Sequence, residues 1–94
     1  MAYEVIFTRA AAFDLDAITE YVAQDSRLYA EALANRILAA VESLADFPLR
    51  GRVVPEFKNA AIREIFVAQY RIIYRVKDDA VEIWAVFHGK RLVP

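Results

Sequence analysis

Tyr70–Arg91 reads YRIIYRVKDDAVEIWAVFHGKR, and the fold turns on how this stretch is read. Tyr70, Ile72, Tyr74 and Val76 alternate with Arg71, Ile73 and Arg75, the period of a strand with one buried face. Lys77, Asp78, Asp79 and Ala80 make a polar, turn-forming break. Val81, Ile83, Ala85 and Phe87 then alternate with Glu82, Trp84, Val86 and His88. The whole reads as a β-hairpin. A two-residue loop at Asp78-Asp79 and a four-residue loop from Lys77 to Ala80 set the same register, which places Val76 opposite Val81 and Arg75 opposite Glu82. Ile73 then faces Trp84, and Arg71 faces Val86. His88 becomes a diagonal neighbour of Arg71 on one face, roughly 7–8 Å away between Cα atoms. Tyr70, Ile72, Tyr74, Val76, Val81, Ile83, Ala85 and Phe87 form the apolar face. The other face holds two arginines, a glutamate, a tryptophan and a histidine, and is where chemistry is expected.

Upstream of the hairpin, Ile62–Val67 reads as a further strand, joined to Tyr70 by a tight turn at Ala68-Gln69. Leu49 to Ala61 is polar and irregular, marked by Pro48, Gly51 and Pro55; a loop this long in a small domain is more often functional than idle. Before it the period becomes helical. Ala30, Leu33, Ile37, Val41 and Leu44 form one stripe of a helix that runs to about Asp46, widened by Ala34 and Leu38 and stopped by Pro48. Ala11, Leu15, Ile18 and Val22 form the stripe of an earlier helix from Arg9 to about Gln24, capped by Thr8. Asp25-Ser26 breaks the two and caps the second, so they should lie antiparallel. Ala2–Phe7 is a short strand. The order β-α-α-β-β-β predicts an α+β fold of two layers: an N-terminal strand, then a helical hairpin packed on an antiparallel C-terminal meander.

The chain of 94 residues is expected to form one domain, 1–94. It has no cysteine and one histidine, so a disulfide framework and a structural zinc site are not expected. No hydrophobic run suits a membrane span, and the first residues lack the basic region of a signal peptide, so the expected compartment is the cytoplasm. A hydrophobic share of 59% is high for so short a chain, and implies apolar surface that a partner covers. Met1–Phe47 carries three basic and eight acidic residues, net −5; Pro48–Pro94 carries nine and five, net +4. The overall balance of −1 argues against RNA binding by bulk charge.

The pieces TRAAAFDLDAITEYV, LADFP, GRVVPEF, IREIFVAQYRIIYRV and VFHGKR, in this order, resemble the RelE/ParE superfamily of toxins from type II toxin–antitoxin modules. The resemblance covers nearly the whole chain. It implies one scaffold with two activities: RelE-type members cut mRNA at the ribosome, whereas ParE-type members poison DNA gyrase. It also implies a cognate antitoxin, ParD-like, whose C-terminal segment wraps the toxin into a hetero-oligomer, and it implies no cofactor. By position, Glu56, Arg71 and His88 match a glutamate, an arginine and a histidine of one nuclease branch. The tyrosine that follows the histidine there is Gly89 here. GRVVPE and His-Gly-Lys-Arg look more like the ParE branch, so the expected role is a gyrase inhibitor of the plasmid-stabilisation type, with the mRNA endonuclease as the alternative.

If the chain cuts RNA, Glu56 would be the base at the 2′-hydroxyl, His88 the acid for the leaving oxygen, and Arg71 the clamp for charge on phosphorus. The plain alternative is that His88 only ends a strand and that Arg71 and Arg75 decorate a solvated face, with Arg75 paired to Glu82. A gyrase poison needs a surface instead; Arg50, Arg52, Trp84, Lys90 and Arg91 are the candidates for target contact, since aromatics and arginines are the usual anchors. Trp84 packed on Ile73 and Val86 is the competing reading. For the antitoxin the candidates are Tyr21, Leu28 and Tyr29 near the helix turn and Arg75 on the mixed sheet face, against ordinary packing of the tyrosines between the helices.

Overall fold

A computed structural model describes residues 2–90. Strand β1 (Glu4–Phe7) leads into helix α1 (Arg9–Ala23), and helix α2 (Arg27–Glu42) follows. Both starts are made by hydroxyl caps. Thr8 Oγ1 accepts the Ala11 amide at 3.1 Å, and Ser26 Oγ accepts that of Tyr29 at 3.1 Å. Beyond Glu42 the helix tightens into a 3-10 turn over Ser43–Ala45, so α2 ends before the expected Asp46. The segment up to Ala61 contains a two-residue strand, β2 (Arg52–Val53), which periodicity does not reveal. Strands β3 (Ile62–Val67), β4 (Tyr70–Val76) and β5 (Ala80–His88) complete the chain.

The sheet runs β1-β5-β4-β3-β2. The three long strands form the expected antiparallel meander, and β1 adds to β5 in parallel, which makes the sheet mixed. The two helices cover one face. Ala11, Leu33, Ile37, Val41 and Leu44 bury there against Ile65, Ile72, Tyr74, Val81, Ile83 and Val86, with Leu15, Ile18 and Val22 at the margin. The predicted stripes thus face the sheet, except that Leu38 is exposed.

The register of the last hairpin departs from expectation. Val76 pairs with Val81 and Arg75 with Glu82 as read, but a bulge enters between Ile73 and Tyr74. Tyr74 now faces Ile83 and Ile73 faces Ala85, so Trp84 is the extra residue. From there on every side chain changes face. Val86 enters the helix-covered core, and Ala85 and Phe87 join Trp84, Val54, Ile62 and Ile73 on the outer face. The cause is α1. The parallel lane of β1 ends at Phe7, opposite Ile83, and there Thr8 N donates to Ile83 O at 3.0 Å. Asp14 Oδ2 then accepts the Val86 amide at 3.1 Å, fixing β5 in its bulged course.

Candidate functional site

The outer face of the sheet carries a buried ionic cluster. In the β3–β4 hairpin Phe66 pairs with Arg71 and Glu64 with Ile73, so Glu64 and Arg71 are diagonal neighbours on one face. Glu64 is 1% exposed and Arg71 6%. Arg71 Nε donates to Glu64 Oε1 at 2.8 Å, and its Nη2 donates to the same oxygen. Arg52, delivered by β2 opposite Glu64, donates its Nε to Oε2. Both carboxylate oxygens are therefore engaged by guanidinium groups, which offset the cost of burying the charge. The guanidinium of Arg71 lies 5.4 Å from the centre of the Phe87 ring, and that of Arg52 5.6 Å from Phe66. Phe87 reaches this place only because of the bulge.

A second set of contacts ties the 48–51 segment to the sheet. Tyr74 is fully buried; its hydroxyl donates to Pro48 O at 2.8 Å and accepts the Gly51 amide at 3.0 Å. Burial pushes the Tyr74 phenol above its ordinary pKa, opposed in part by the Gly51 bond and by Arg63 and Arg50. A Cβ at Gly51 would stand 2.5 Å from Glu64 O and 2.6 Å from the Tyr74 hydroxyl, so no side chain fits there. Arg63 Nη1 holds the same segment through Gly51 O at 2.9 Å and Leu49 O at 3.3 Å.

The structure separates the three residues assigned to RNA cleavage. Glu56 Oε2 lies 3.8 Å from Arg71 Nη2, so these two are close. His88, expected beside Arg71, pairs with Tyr70 and turns to the helix side, where the two rings meet edge to face at 5.9 Å. The bulge is the reason. His88 Nδ1 accepts the Lys90 amide at 3.2 Å. Arg71 is bound to Glu64 in the place where a phosphate clamp was expected. A Cβ at Gly89 would stand 3.1 Å from Gln69 O, a tight approach to the oxygen that accepts the Gly89 amide.

The remaining candidates divide between two surfaces. Arg50 is exposed and donates to Ser43 Oγ at 2.5 Å; Arg52 is exposed on the outer face beside Phe66. Trp84 is half-buried against the Ile73 cluster, apart from Val86, and its Nε1 donates to Glu82 Oε1 at 3.3 Å. Lys90 is exposed, and Arg91 lies outside the described residues. Arg75 is exposed opposite Glu82, whose carboxylate is bound instead by Lys77 Nζ at 3.1 Å. That bond and the one from Trp84 hold Glu82 below the ordinary glutamate range. Tyr21, Leu28 and Tyr29 do not pack between the helices; all three are exposed. Tyr21 borders a cavity of about 340 Å³ between α1 and the end of β5, lined also by Asp14, Ile18, Tyr70, Val86 and His88.

Sequence reasoning missed Glu64 and Asp14. Glu64 was legible: the turn at Ala68-Gln69 pairs 66 with 71, which places 64 beside 71 on one face. Asp14 was not, because its partner is a backbone amide 72 positions away. Among the described residues no group of three or more His, Asp or Glu side chains can hold a metal ion, and no helix is long and apolar enough to cross a membrane.

With this geometry in hand, the chain compares as follows. Residues 5–93 match the family model described as ParE toxin of type II toxin–antitoxin system, parDE. The protein named Toxin RelE2 from Caulobacter vibrioides is 40% identical over 90 residues, covering 95% of this chain and 98% of that one. Among solved structures, the chromosomal ParDE toxin–antitoxin system from P. aeruginosa superposes with a TM-score of 0.77 at 24% identity, covering 95% of this chain and 98% of the other, a likeness of fold. The RelBE2 toxin–antitoxin complex from Mycobacterium tuberculosis gives 0.59 at 29% identity, with 94% and 99% covered.

Proposed function

The chain belongs to the ParE toxin family of type II toxin–antitoxin systems, within the RelE/ParE superfamily, and we propose that it acts in such a module by poisoning DNA gyrase through a surface. The observation that carries this reading is the separation of His88 from Arg71 onto opposite faces of the sheet. General acid catalysis needs the imidazole within hydrogen-bond reach of the leaving oxygen while the guanidinium holds the phosphoryl group. Here one group faces the helices, and the other is engaged by Glu64 and stacked on Phe87. A gyrase poison requires no such convergence. Its target surface is the outer face, which carries exposed Arg52 and Phe66 and half-buried Trp84; Arg50 and Lys90, together with Arg91 outside the described residues, are further candidate contacts.

A cognate antitoxin holds the toxin inactive in the cytoplasm, and residues 1–94 act as one toxin domain. The antitoxin reading is supported by the apolar side chains the fold leaves in solvent: Phe13, Tyr21, Leu28 and Tyr29 are all exposed on the helical hairpin. It also agrees with the toxin–antitoxin assemblies among the solved structures the chain resembles. One observation favours the RelE-type alternative: Glu56 and Arg71 do lie together.

Two assays on toxin purified free of antitoxin test the proposal: gyrase supercoiling with trapping of cleavage complexes, and mRNA cleavage on programmed ribosomes. The expected result is gyrase poisoning without RNA cleavage. RNA cleavage abolished by His88→Ala would overturn it.

A further inference from the structure

The end of β5 is held away from the register that its own residues favour. From Ile83 to Phe87 every residue is apolar, so both faces of this half-strand suit burial, and alternation alone fixes its register weakly. An unbroken ladder would set Trp84 opposite Ile73, Ala85 opposite Ile72, Val86 opposite Arg71 and Phe87 opposite Tyr70. The bulge sets Ala85, Val86, Phe87 and His88 in those four places instead. Exchanging one set for the other displaces no further element, because β5 is the last described one and only Gly89 and Lys90 of the described residues follow it.

The helix-side places suit either occupant. Opposite Ile72, in the helix-covered core, Ala85 is smaller than Val86. Opposite Tyr70, Phe87 would put one ring where the His88 ring now stands, beside the 340 Å³ cavity lined by Ile18, Tyr21 and Tyr70. Against the exchange stand the packing of Phe87 with Val54, Ile62 and Ile73 and its place 5.4 Å from the Arg71 guanidinium. Two side-chain bonds add to these. Thr8 Oγ1 donates to Trp84 O at 3.4 Å, and half-buried Asp14 accepts the Val86 amide on Oδ2 at 3.1 Å. The Asp14 bond belongs to the bulged register alone. In that register Val86 turns its amide to α1 and Phe87 faces Arg71. In the unbroken ladder Val86 would stand opposite Arg71 in the place of Phe87, with its amide turned toward β4.

We propose that Asp14 is a positioning residue. By accepting the Val86 amide it keeps the end of β5 one residue out of its unbroken register, and so decides that Phe87, not His88, stands with Arg71 on the outer face of the sheet. A carboxylate on the helix side thereby sets the composition of the opposite face. The consequence for activity rests on the gyrase reading above; the register does not. Helix α1 itself has no need of the carboxylate at this position, since alanine is the better helix former.

The test is NMR of the free, full chain. In the parent, the Tyr70 and His88 rings, with centroids 5.9 Å apart, should show a direct cross-peak. Losing one charge-assisted hydrogen bond moves the balance between two registers about tenfold or more. Asp14→Ala should therefore give a second set of amide signals for residues 84–90, in which Tyr70 meets Phe87 and His88 meets Arg71. The Tyr70–His88 cross-peak should lose at least about half its intensity. Asp14→Asn keeps an oxygen for the Val86 amide and should keep the parent contacts. Deleting Trp84 removes the extra residue, so that an unbroken ladder itself sets Val86 opposite Ile72 and His88 opposite Tyr70. In that background Asp14→Ala should leave the Tyr70–His88 contact in place. A group that only stabilises the fold would lower Tm with the pairing unchanged. Asp14→Ala with the single parent set of signals overturns the proposal, as does a response to Asp14→Ala that survives deletion of Trp84 or is equalled by Asp14→Asn. An Asp14→Ala chain that does not fold overturns it too, because a second register close in energy would keep the domain folded. None of these signals involves a target. Where the gyrase reading holds, Asp14→Ala should also raise severalfold the toxin concentration that traps cleavage complexes; a parent chain inert toward gyrase sinks that reading and leaves the register result standing.

Discussion

Removing the Glu64 carboxylate should destabilise the fold far more than a surface ion pair would. Glu64→Ala takes from the Arg71 guanidinium, whose side chain is 7% exposed, its buried carboxylate partner, with Glu56 at 3.8 Å. Truncating one partner of a buried pair costs about 3–5 kcal/mol, because the other charge stays in a poorly solvated place. Arg52 adds little, since its side chain is 62% exposed and returns to water. We take about 3 kcal/mol, the lower end, because Arg71 keeps its place over Phe87 and can draw on Glu56. For a domain of this size each kcal/mol shifts Tm by about 4–8 °C, so the midpoint should fall by about 12–24 °C. Urea unfolding followed by tryptophan fluorescence and far-UV circular dichroism measures the same loss as a change in midpoint at constant m. The double variant Glu64→Leu/Arg71→Leu provides the control. It buries no charge, and should recover stability to within about 1 kcal/mol of the parent. A loss below about 1 kcal/mol for Glu64→Ala, or a double variant no better than the single one, would refute the assignment of a buried, mutually dependent pair.

Other outcomes follow from single contacts. Gly51→Ala drives a methyl group into Glu64 O and the Tyr74 hydroxyl and should cost about 2–3 kcal/mol in chemical unfolding. Ala68, the first residue of the β3–β4 turn, has φ 52°, a region glycine enters freely; Ala68→Gly should stabilise the protein by about 0.5–1 kcal/mol, read as a rise in Tm. Burial raises the Tyr74 phenol, so the folded state holds that proton more tightly than the unfolded chain does. Its contribution is complete below the ordinary tyrosine pKa and is lost as pH rises through the folded value; Tyr74→Phe should remove this alkaline component from a Tm-against-pH profile. Glu82 is held low by Lys77, and NMR titration of Lys77→Ala should move its midpoint back up toward the ordinary glutamate value.

Much of the architecture was legible because it depends on local pattern. Stripes at three and four residue steps marked the faces of α1 and α2 that the structure buries, and Thr8 and Ser26 sit at the caps where hydroxyls were read. Period-2 alternation located β3, β4 and β5, and the turn at Lys77–Ala80 set the first rungs of the last hairpin correctly. The resemblance in Tyr70–Arg91 and the GRVVPEF segment led to the family that the comparisons establish. The excess of apolar residues implied apolar surface, and Phe13, Tyr21, Leu28 and Tyr29 are exposed on the helical hairpin.

Periodicity could not reveal where that period breaks. A strand pattern assigns faces on the assumption of unbroken pairing, and one bulge inverts every assignment after it. The bulge at Trp84 is held by Thr8 and Asp14, far away in the chain, and its consequence is that His88 leaves Arg71 while Phe87 takes its place. Among the described strands, β1 pairs with β5 only as far as Ile83, before Val86–His88. Residue types and spacing determined the elements, the family and the candidate groups; the packing of α1 against β5 decided which of those groups stand together, because a backbone amide, which every residue but proline carries, leaves no mark in a sequence.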